Sequence, residues 1–243
     1  MTQSPTNLDK LKIFADGAAL APMLELAKNP RIAGFTTNPT LMRKAGVADY
    51  RGFAREVLAT IRDKPISFEV FADEFPEMKR QATEIATWGD NVYVKIPITN
   101  TQREPSAPLV RELSAAGVKL NVTALCTVDQ VRETAAALRG GAPSVISVFA
   151  GRIADTGRDP VPLMREALGI CRAAAPGREI ELLWASPREL LNIVQAAEVG
   201  CDIITVTNDL LAKLPTIGKE LAAFSLETVQ MFYRDAQACG FKL

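Results

Sequence analysis

A lysine inside an apolar segment is the residue of this 243-residue chain best suited to covalent chemistry. Lys95 lies within residues 92–98 (VYVKIPI), with strand-forming residues on both sides. Lysine is seldom buried, and an ammonium removed from water loses its proton more readily, which frees an amine that can attack a carbonyl. That is what a Schiff-base nucleophile requires. Two other interpretations stay open: a lysine paired with a carboxylate, or a lysine on a solvent-facing edge strand.

Other polar residues stand late in, or just after, short apolar segments along the whole chain. A polar side chain in an apolar strand costs about 1–3 kcal/mol unless it is paired, so a recurrent pattern of this kind favours a site. The residues concerned are Asp16, Asn38, Glu69, Lys95, Asn121, Thr123, Ser147, Arg152, Ser186 and Asn208.

The segments that carry these residues alternate with stretches of helical character. Most of the apolar segments are rich in β-branched or aromatic residues, which is typical of buried strands. They cover residues 12–16, 34–38, 66–71, 92–98, 119–125, 144–150, 180–186 and 202–208. Helical segments such as 49–61, 76–88, 127–138 and 188–198 lie between them. Several begin with capping chemistry, at Asp49, at Thr127, and at Ser186 followed by Pro187.

This alternation predicts an α/β fold with a parallel sheet. Eight units of about 30 residues each fit a closed (β/α)8 TIM barrel, which would make residues 1–243 a single domain. The alternative is an open doubly wound sheet, but no glycine fingerprint follows any of the strands. Active sites of such barrels lie at the carboxyl ends of the strands, where the polar residues above would converge. Lys119, a formal rival of Lys95, opens its strand and belongs at the opposite end.

Composition narrows the possible chemistry further. The chain has no histidine, so the commonest general base and metal ligand is missing. Basic and acidic residues number 28 each, which gives no electrostatic case for nucleic acid or a membrane surface. The cysteines stand too far apart in sequence for a zinc or dithiol motif, and we expect no metal and no cofactor. They are Cys126, Cys171, Cys201 and Cys239. With no signal-peptide pattern and no membrane-span pattern, we expect a cytoplasmic protein.

Six motifs together resemble those of the transaldolase family, including its small fructose-6-phosphate aldolase-like branch. They occur in the family's order and span most of the chain: FADG at 14–17, TTNPTL at 36–41, SFEV at 67–70, VYVKIP at 92–97, NVTA at 121–124 and SVFAGRI at 147–153. The resemblance implies carbohydrate metabolism, in the pentose phosphate pathway, with a ketose as the donor substrate.

The resemblance also implies roles for the catalytic residues. Lys95 would form an imine with the ketose carbonyl, and Asp16 would take the proton from the hydroxyl whose loss drives carbon–carbon cleavage. Glu69 and Thr123 would hold the water that moves protons during imine formation. Simpler roles remain open for two of these residues. Asp16 could cap a helix in its Asp-Gly turn, and Glu69 could pair with Lys95 or Arg152.

The remaining residues would bind substrate. Asn38, Asn121 and Ser147 would hydrogen-bond the hydroxyls of a dihydroxyacetone unit, and Phe149 would line the pocket. Arg152 would pair with an anionic group at the far end of the sugar, where its planar fork suits a phosphate. Alternatively, Arg152 is a loop residue bonded to Asp155.

The pattern departs from the family after the seventh strand. Many members carry Ser-Phe-Arg or Ser-Phe-Lys there, which completes the phosphate site. Here Ser186 matches the family serine and would bind substrate, but Pro187 and Arg188 follow, so the basic residue is missing unless Arg188 substitutes for it. The substrate anion could therefore be a phosphate, a sulfonate or absent.

Three functions follow as hypotheses. The first is a transaldolase that moves a dihydroxyacetone unit from a ketose to an aldose. The second is an aldolase on the same site that releases free dihydroxyacetone. Glu69 and Phe149 favour the first, since the aldolase branch has Gln and Tyr at those positions. The third is a non-catalytic barrel that binds a sugar or an anion, for which a desolvated amine would have no use.

The tail at 224–241 predicts an additional C-terminal helix beyond the barrel. It starts with a capping signal at Ser225, and its apolar residues form a single stripe. The stripe consists of Val229, Phe232, Tyr233 and Ala236, with Met231 and Phe241 nearby. An exposed stripe of this kind marks an interface, although it could also pack onto its own barrel. Small family members exchange such a tail in decamers, so we expect a homo-oligomer, with a decamer favoured over a dimer.

Overall fold

The computed structural model describes residues 8–240 and contains a closed barrel of eight parallel strands. Each strand pairs with the next along the chain, and the eighth pairs with the first, as predicted. The strands are β1 Lys12–Asp16, β2 Ile32–Thr36, β3 Ile66–Glu69, β4 Val92–Pro97, β5 Leu120–Leu125, β6 Ser144–Val148, β7 Ile180–Trp184 and β8 Ile203–Thr207. A closed sheet has no edges, so the open doubly wound alternative is wrong.

Helices surround the barrel. Over residues 8–240 they are α1 Leu20–Ala27, α2 Pro39–Lys44, α3 Tyr50–Thr60, α4 Phe75–Ala86, α5 Ala107–Ala115, α6 Val128–Leu138, α7 Ala150–Ala154, α8 Val161–Ala174, α9 Leu191–Val199, α10 Asn208–Leu211 and α11 Leu221–Cys239. Within this part of the chain, no helix is both long enough and apolar enough to span a bilayer.

Two of the three predicted helix starts are confirmed. Thr127 forms a capping box with Gln130, and Asp49 Oδ1 accepts a hydrogen bond from the Gly52 amide at 3.0 Å. The start at Ser186 and Pro187 is wrong, because α9 begins only at Leu191. Ser186 instead has a φ of 57°, a left-handed conformation that turns the chain sharply after β7.

The hydrophobic core has two parts. The larger lies between the strands and the helices and includes Trp184, Phe35 and Phe68, which are almost completely buried. A smaller cluster fills the barrel interior and contains Phe14, Val145, Leu183, Ala185 and Ile203. The Phe14 ring lies so close to Gly34 that a Cβ there would approach it to 2.6 Å. Apolar packing thus closes the lower barrel and leaves polar side chains at the upper end.

The predicted C-terminal helix is present as α11, but it starts earlier than the sequence pattern indicated. Glu220 rather than Ser225 caps it, because the Glu220 carboxylate accepts hydrogen bonds from Ala222 N and Ala223 N at 2.8 and 2.7 Å. The last predicted residue, Phe241, lies outside the described residues. No residue of α11 is buried, so the alternative that the helix packs into its own barrel is not realised. Large apolar side chains on it stand exposed, Val229, Phe232 and Tyr233 by 60–67%.

Candidate active site

A pocket of about 360 Å³ opens at the carboxyl ends of the strands. It is lined by all ten residues expected to carry chemistry or bind substrate: Asp16, Asn38, Glu69, Lys95, Asn121, Thr123, Ser147, Phe149, Arg152 and Ser186. Asn208 does not line it. That residue opens α10 and is exposed, and Thr205, three residues earlier on β8, lines the pocket instead.

Lys95 is 7% exposed and holds two hydrogen bonds at the pocket floor. Its Nζ donates to the Thr37 carbonyl oxygen at 2.7 Å and to Glu69 Oε2 at 3.1 Å. The two residues are register partners on β4 and β3, which places the carboxylate beside the amine. Lys95 is therefore paired with a carboxylate, as one alternative held, and the edge-strand alternative is wrong. The pairing leaves the amine within the pocket, where a carbonyl can reach it.

Asp16 is the last residue of β1 and lines the same pocket. Its Oδ1 accepts a hydrogen bond from Thr36 Oγ1 at 2.8 Å, and its Oδ2 accepts one from Asn38 Nδ2 at 3.3 Å. The Thr36 hydroxyl is in turn hydrogen-bonded to that of Thr205. Burial raises the pKa of the Asp16 carboxyl, against the opposing effects of Thr36, Lys95 and Asn38. A carboxylate with a raised pKa is a better proton acceptor, which suits a general base.

Asp16 does not cap a helix, since α1 begins at Leu20 without a side-chain cap. Asn38 does: its Oδ1 accepts a hydrogen bond from Leu41 N at 2.9 Å and caps α2. That bond fixes the amide so that its Nδ2 is directed at Asp16. One asparagine therefore orders both a helix start and the candidate base.

The pocket floor continues through a chain of hydrogen bonds across the barrel interior. Ser147 Oγ donates to Asn121 Oδ1 at 2.6 Å, and Asn121 Nδ2 donates to Ser67 Oγ at 3.0 Å. All three side chains are buried. Thr123, also buried, lies where the pairing of β5 with β6 is irregular, and the next residue, Ala124, has a φ of 67°. Such a bulge redirects side chains next to it and is common beside active sites.

A cation marks the outer part of the pocket. The Arg152 guanidinium lies 5.7 Å from the centroid of the Phe149 ring, and within residues 8–240 it makes no ion pair. The alternative that Arg152 is bonded to Asp155 is wrong, because Arg188 takes that carboxylate. Glycine at position 151 lets α7 pack closely against the loop after β7, since a Cβ on Gly151 would lie 1.5 Å from the Ser186 carbonyl oxygen. The Arg152 guanidinium, which has no ion-pair partner in the described residues, can therefore bind an anion that enters the pocket.

Sequence reasoning missed three polar residues that shape the site. Thr36 stands in the TTNPTL motif but was not assigned a role, and Thr205 lies mid-strand rather than at the strand end. Tyr50 opens a helix and carries no sequence signal, yet its hydroxyl contacts the backbone of Glu69. Over the described range, no group of three acidic or thiol side chains is placed to hold a metal ion.

The chain is similar in sequence to known proteins of one family. Residues 13–243 match the family described as Transaldolase/Fructose-6-phosphate aldolase. A "Probable transaldolase" of Dehalococcoides mccartyi is 35% identical over 204 residues, covering 84% of this chain and 90% of the relative. Another of that name, from Streptococcus agalactiae, is 35% identical over 206 residues, covering 85% and 90%.

Solved structures share the fold. A HpcH/HpaI aldolase/citrate lyase family protein from Burkholderia cenocepacia superposes with a TM-score of 0.56 at 15% identity, covering 96% of this chain and 98% of that one. At this identity the likeness concerns the barrel alone.

Proposed function

Because the chain belongs to the transaldolase/fructose-6-phosphate aldolase family, we propose that it is a Schiff-base transaldolase that transfers a dihydroxyacetone unit from a ketose to an aldose. The observation that carries this proposal is the buried Lys95 amine, 3.1 Å from the Glu69 carboxylate, in one pocket with Asp16. A nucleophile, a proton-transferring carboxylate and a second base are what imine chemistry needs.

The first half-reaction attaches the ketose. The Lys95 amine adds to the carbonyl at the second carbon, and loss of one water from the carbinolamine gives the imine. Glu69 and Thr123 hold that water and move the protons that its departure requires. The protonated imine then accepts the electrons of the bond between the third and fourth carbons.

Cleavage of that bond needs a base at the fourth-carbon hydroxyl. Asp16 removes the hydroxyl proton, the aldehyde leaves, and the remaining three-carbon unit stays on Lys95 as an enamine. Attack of the enamine on a new aldehyde reverses these steps: Asp16 returns its proton, and water releases the product. Asn38, Asn121 and Ser147 would bind the hydroxyls of the retained unit.

The outer part of the pocket would hold the anionic end of the sugar. Arg152 supports this role because it lines the pocket without an ion-pair partner in the described chain. A phosphate would gain charge-assisted hydrogen bonds from its guanidinium. The Ser186 hydroxyl, on the loop after β7, would contribute a further donor.

An aldolase that releases free dihydroxyacetone is the second candidate. It would use the same amine and base, and would differ in how the enamine is discharged. Glu69 and Phe149 favour transfer, since the aldolase branch of the family has Gln and Tyr at these positions.

Reductive trapping tests the proposal. We expect borohydride and fructose 6-phosphate together to label the chain irreversibly, and peptide mass mapping to find the label on Lys95. Transfer to an added aldose should exceed release of free dihydroxyacetone. A label on another lysine would overturn the mechanism, and release without transfer would assign the aldolase activity. Asp16→Ala should still be labelled but should not cleave the ketose.

We also propose a homo-oligomer in which α11 contacts another copy of the chain. The support is its exposed apolar stripe, together with the absence of any buried residue on the helix. A decamer is the assembly we favour, and a dimer is the second choice. The four cysteines are unpaired, which fits the cytoplasmic location we propose.

A further inference from the structure

Within residues 8–240, the end of β3 has no strand partner on the side that faces β2, since the pairing of these strands ends at Thr36 and Ser67. Backbone amides of Ile66 and Val70 donate to the β4 side, at Asn91 O and Lys95 O. Residues alternate along a strand, so the amide and carbonyl of Glu69 face β2. The β2 side offers its last backbone hydrogen bond at Ser67, whose carbonyl accepts from Thr37 N at 3.2 Å.

A tyrosine hydroxyl takes the place of the missing strand. Tyr50 Oη accepts a hydrogen bond from Glu69 N at 2.8 Å and donates one to Glu69 O at 3.0 Å. One side chain therefore satisfies both backbone groups of the residue that pairs with Lys95. An unpaired backbone amide or carbonyl at Glu69 would cost free energy, so the two hydrogen bonds to Tyr50 hold the strand end in one position.

The Tyr50 ring is itself held in place. It packs edge-on against Phe71, Trp88 and Phe68, with ring centroids 4.6, 5.4 and 6.0 Å away. Tyr50 is also the first residue of α3, directly after the Asp49 cap. Helix, aromatic cluster and strand end are thereby joined at one hydroxyl group.

We propose that Tyr50 is a positioning residue that sets where the Glu69 carboxylate stands relative to the Lys95 amine. The inference rests on the proposed function, because it assigns Tyr50 to the steps in which Glu69 moves protons. Loss of the hydroxyl should slow imine formation and imine hydrolysis, which use the water held by Glu69. It should leave the bond cleavage that depends on Asp16 unaffected once the imine exists.

Tyr50→Phe tests this, because it removes the hydroxyl and keeps the ring in its cluster. We expect the rate of borohydride-trappable imine formation to fall about tenfold to a hundredfold, with KM little changed, as for a displaced catalytic group. Cleavage of the preformed imine should stay within about twofold of wild type, no more than the weakest single hydrogen bond would change it. Tyr93→Phe, which removes a hydroxyl near the lower end of the barrel, is the matched control and should behave as wild type.

A double-mutant cycle separates positioning from general damage. In the Glu69→Ala background, Tyr50→Phe should slow imine formation little further, since the carboxylate it positions is gone. Additive losses, equal losses in imine formation and cleavage, or a wild-type rate for Tyr50→Phe would each overturn the inference alone. A wild-type protein that forms no imine at Lys95 would instead overturn the proposed function.

Discussion

Lys95 and Glu69 face each other across the register of β4 and β3, with 3.1 Å between the amine nitrogen and a carboxylate oxygen. Their side chains are 9% and 19% exposed. Taking two charges out of water is expensive, and their attraction offsets this only when the geometry is good. The pair is thus a place where the fold accepts a cost in stability, which is consistent with the catalytic roles that we propose for these two residues.

Replacement of Lys95 should separate chemistry from folding. We expect Lys95→Ala to abolish turnover and borohydride labelling, because Lys95 is the one lysine of residues 8–240 that lines the pocket. The unpaired Glu69 should lower the free energy of unfolding by about 2 kcal/mol, less than a fully buried charge would, since Glu69 keeps some contact with solvent. Assays, labelling and circular dichroism would check this. Lys119→Ala, at the other end of the barrel, is the control, and residual turnover by Lys95→Ala would contradict the assignment.

Asp16 should make stability depend on pH in a defined direction. Its pKa is raised in the folded chain, so between the ordinary and the raised value the folded state binds more proton than the unfolded state. Stability attributable to Asp16 therefore falls as pH rises through that interval and stays lower above it.

Asp16→Asn removes this loss of stability, so we expect a higher Tm than wild type at pH 8, and the two Tm values should converge only as pH falls toward 3.8, the ordinary pKa of an Asp carboxyl. Each unit of pKa difference corresponds to about 1.4 kcal/mol, or roughly 3–6 °C for a chain of this size. Thermal unfolding across the pH range measures it. Asp155→Asn, in an exposed ion pair, should show no such gain, and an advantage that grows as pH falls would refute the prediction.

Glu69→Gln should shift the outcome of the reaction from transfer toward release of free dihydroxyacetone. The aldolase branch has Gln at this position, and an amide, which donates as well as accepts hydrogen bonds, holds the pocket water differently from a carboxylate. The fate of the enamine should therefore shift toward release, even though imine formation and imine hydrolysis both become slower. The ratio of transferred to released product, measured with a competing aldose, gives the answer. A ratio equal to that of wild type would remove Glu69 from the proton transfers.

Arg152→Ala should weaken binding of phosphorylated sugars selectively. Loss of a charge-assisted hydrogen bond of about 1.5–3 kcal/mol predicts a KM roughly ten to a hundred times higher for the phosphate ester. KM for the unphosphorylated sugar should change little. Arg158→Ala, on the loop after α7, is the control of equal charge. Equal effects on both sugars would make Arg152 a structural residue.

Charged substitutions in the exposed stripe of α11 should dissociate the proposed homo-oligomer. Val229→Asp together with Phe232→Asp places charge where we propose another copy packs, and we expect a smaller species in sedimentation or light scattering. Arg234→Asp changes the net charge by the same amount on another face of the helix and should leave the assembly intact. A monomeric wild type, or a double variant with unchanged mass, would exclude this interface.

Strand positions and most of the pocket could be predicted because each depends on local chemistry. Apolar segments of five to seven residues define the strands, and a parallel barrel brings their carboxyl ends together. Ser186 and Thr205 show where that reasoning stops. Ser186 precedes a proline as a helix cap would, but the close approach of its carbonyl to Gly151 depends on packing between α7 and the loop after β7. Thr205 faces the pocket through the register of β8 with β1, which one segment does not reveal.

Hydrogen bonds from Ser147 through Asn121 to Ser67 connect two side chains that we propose bind substrate with the interior of the barrel. If Asn121 and Ser147 bind the donor sugar as we propose, a mutation that adapts them to a new donor also changes the packing inside the barrel, so selection there acts on two properties at once. Arg152, exposed at the rim, carries no such double constraint. Directed evolution of this enzyme for new acceptors should therefore accumulate its changes at the rim and leave the floor almost untouched.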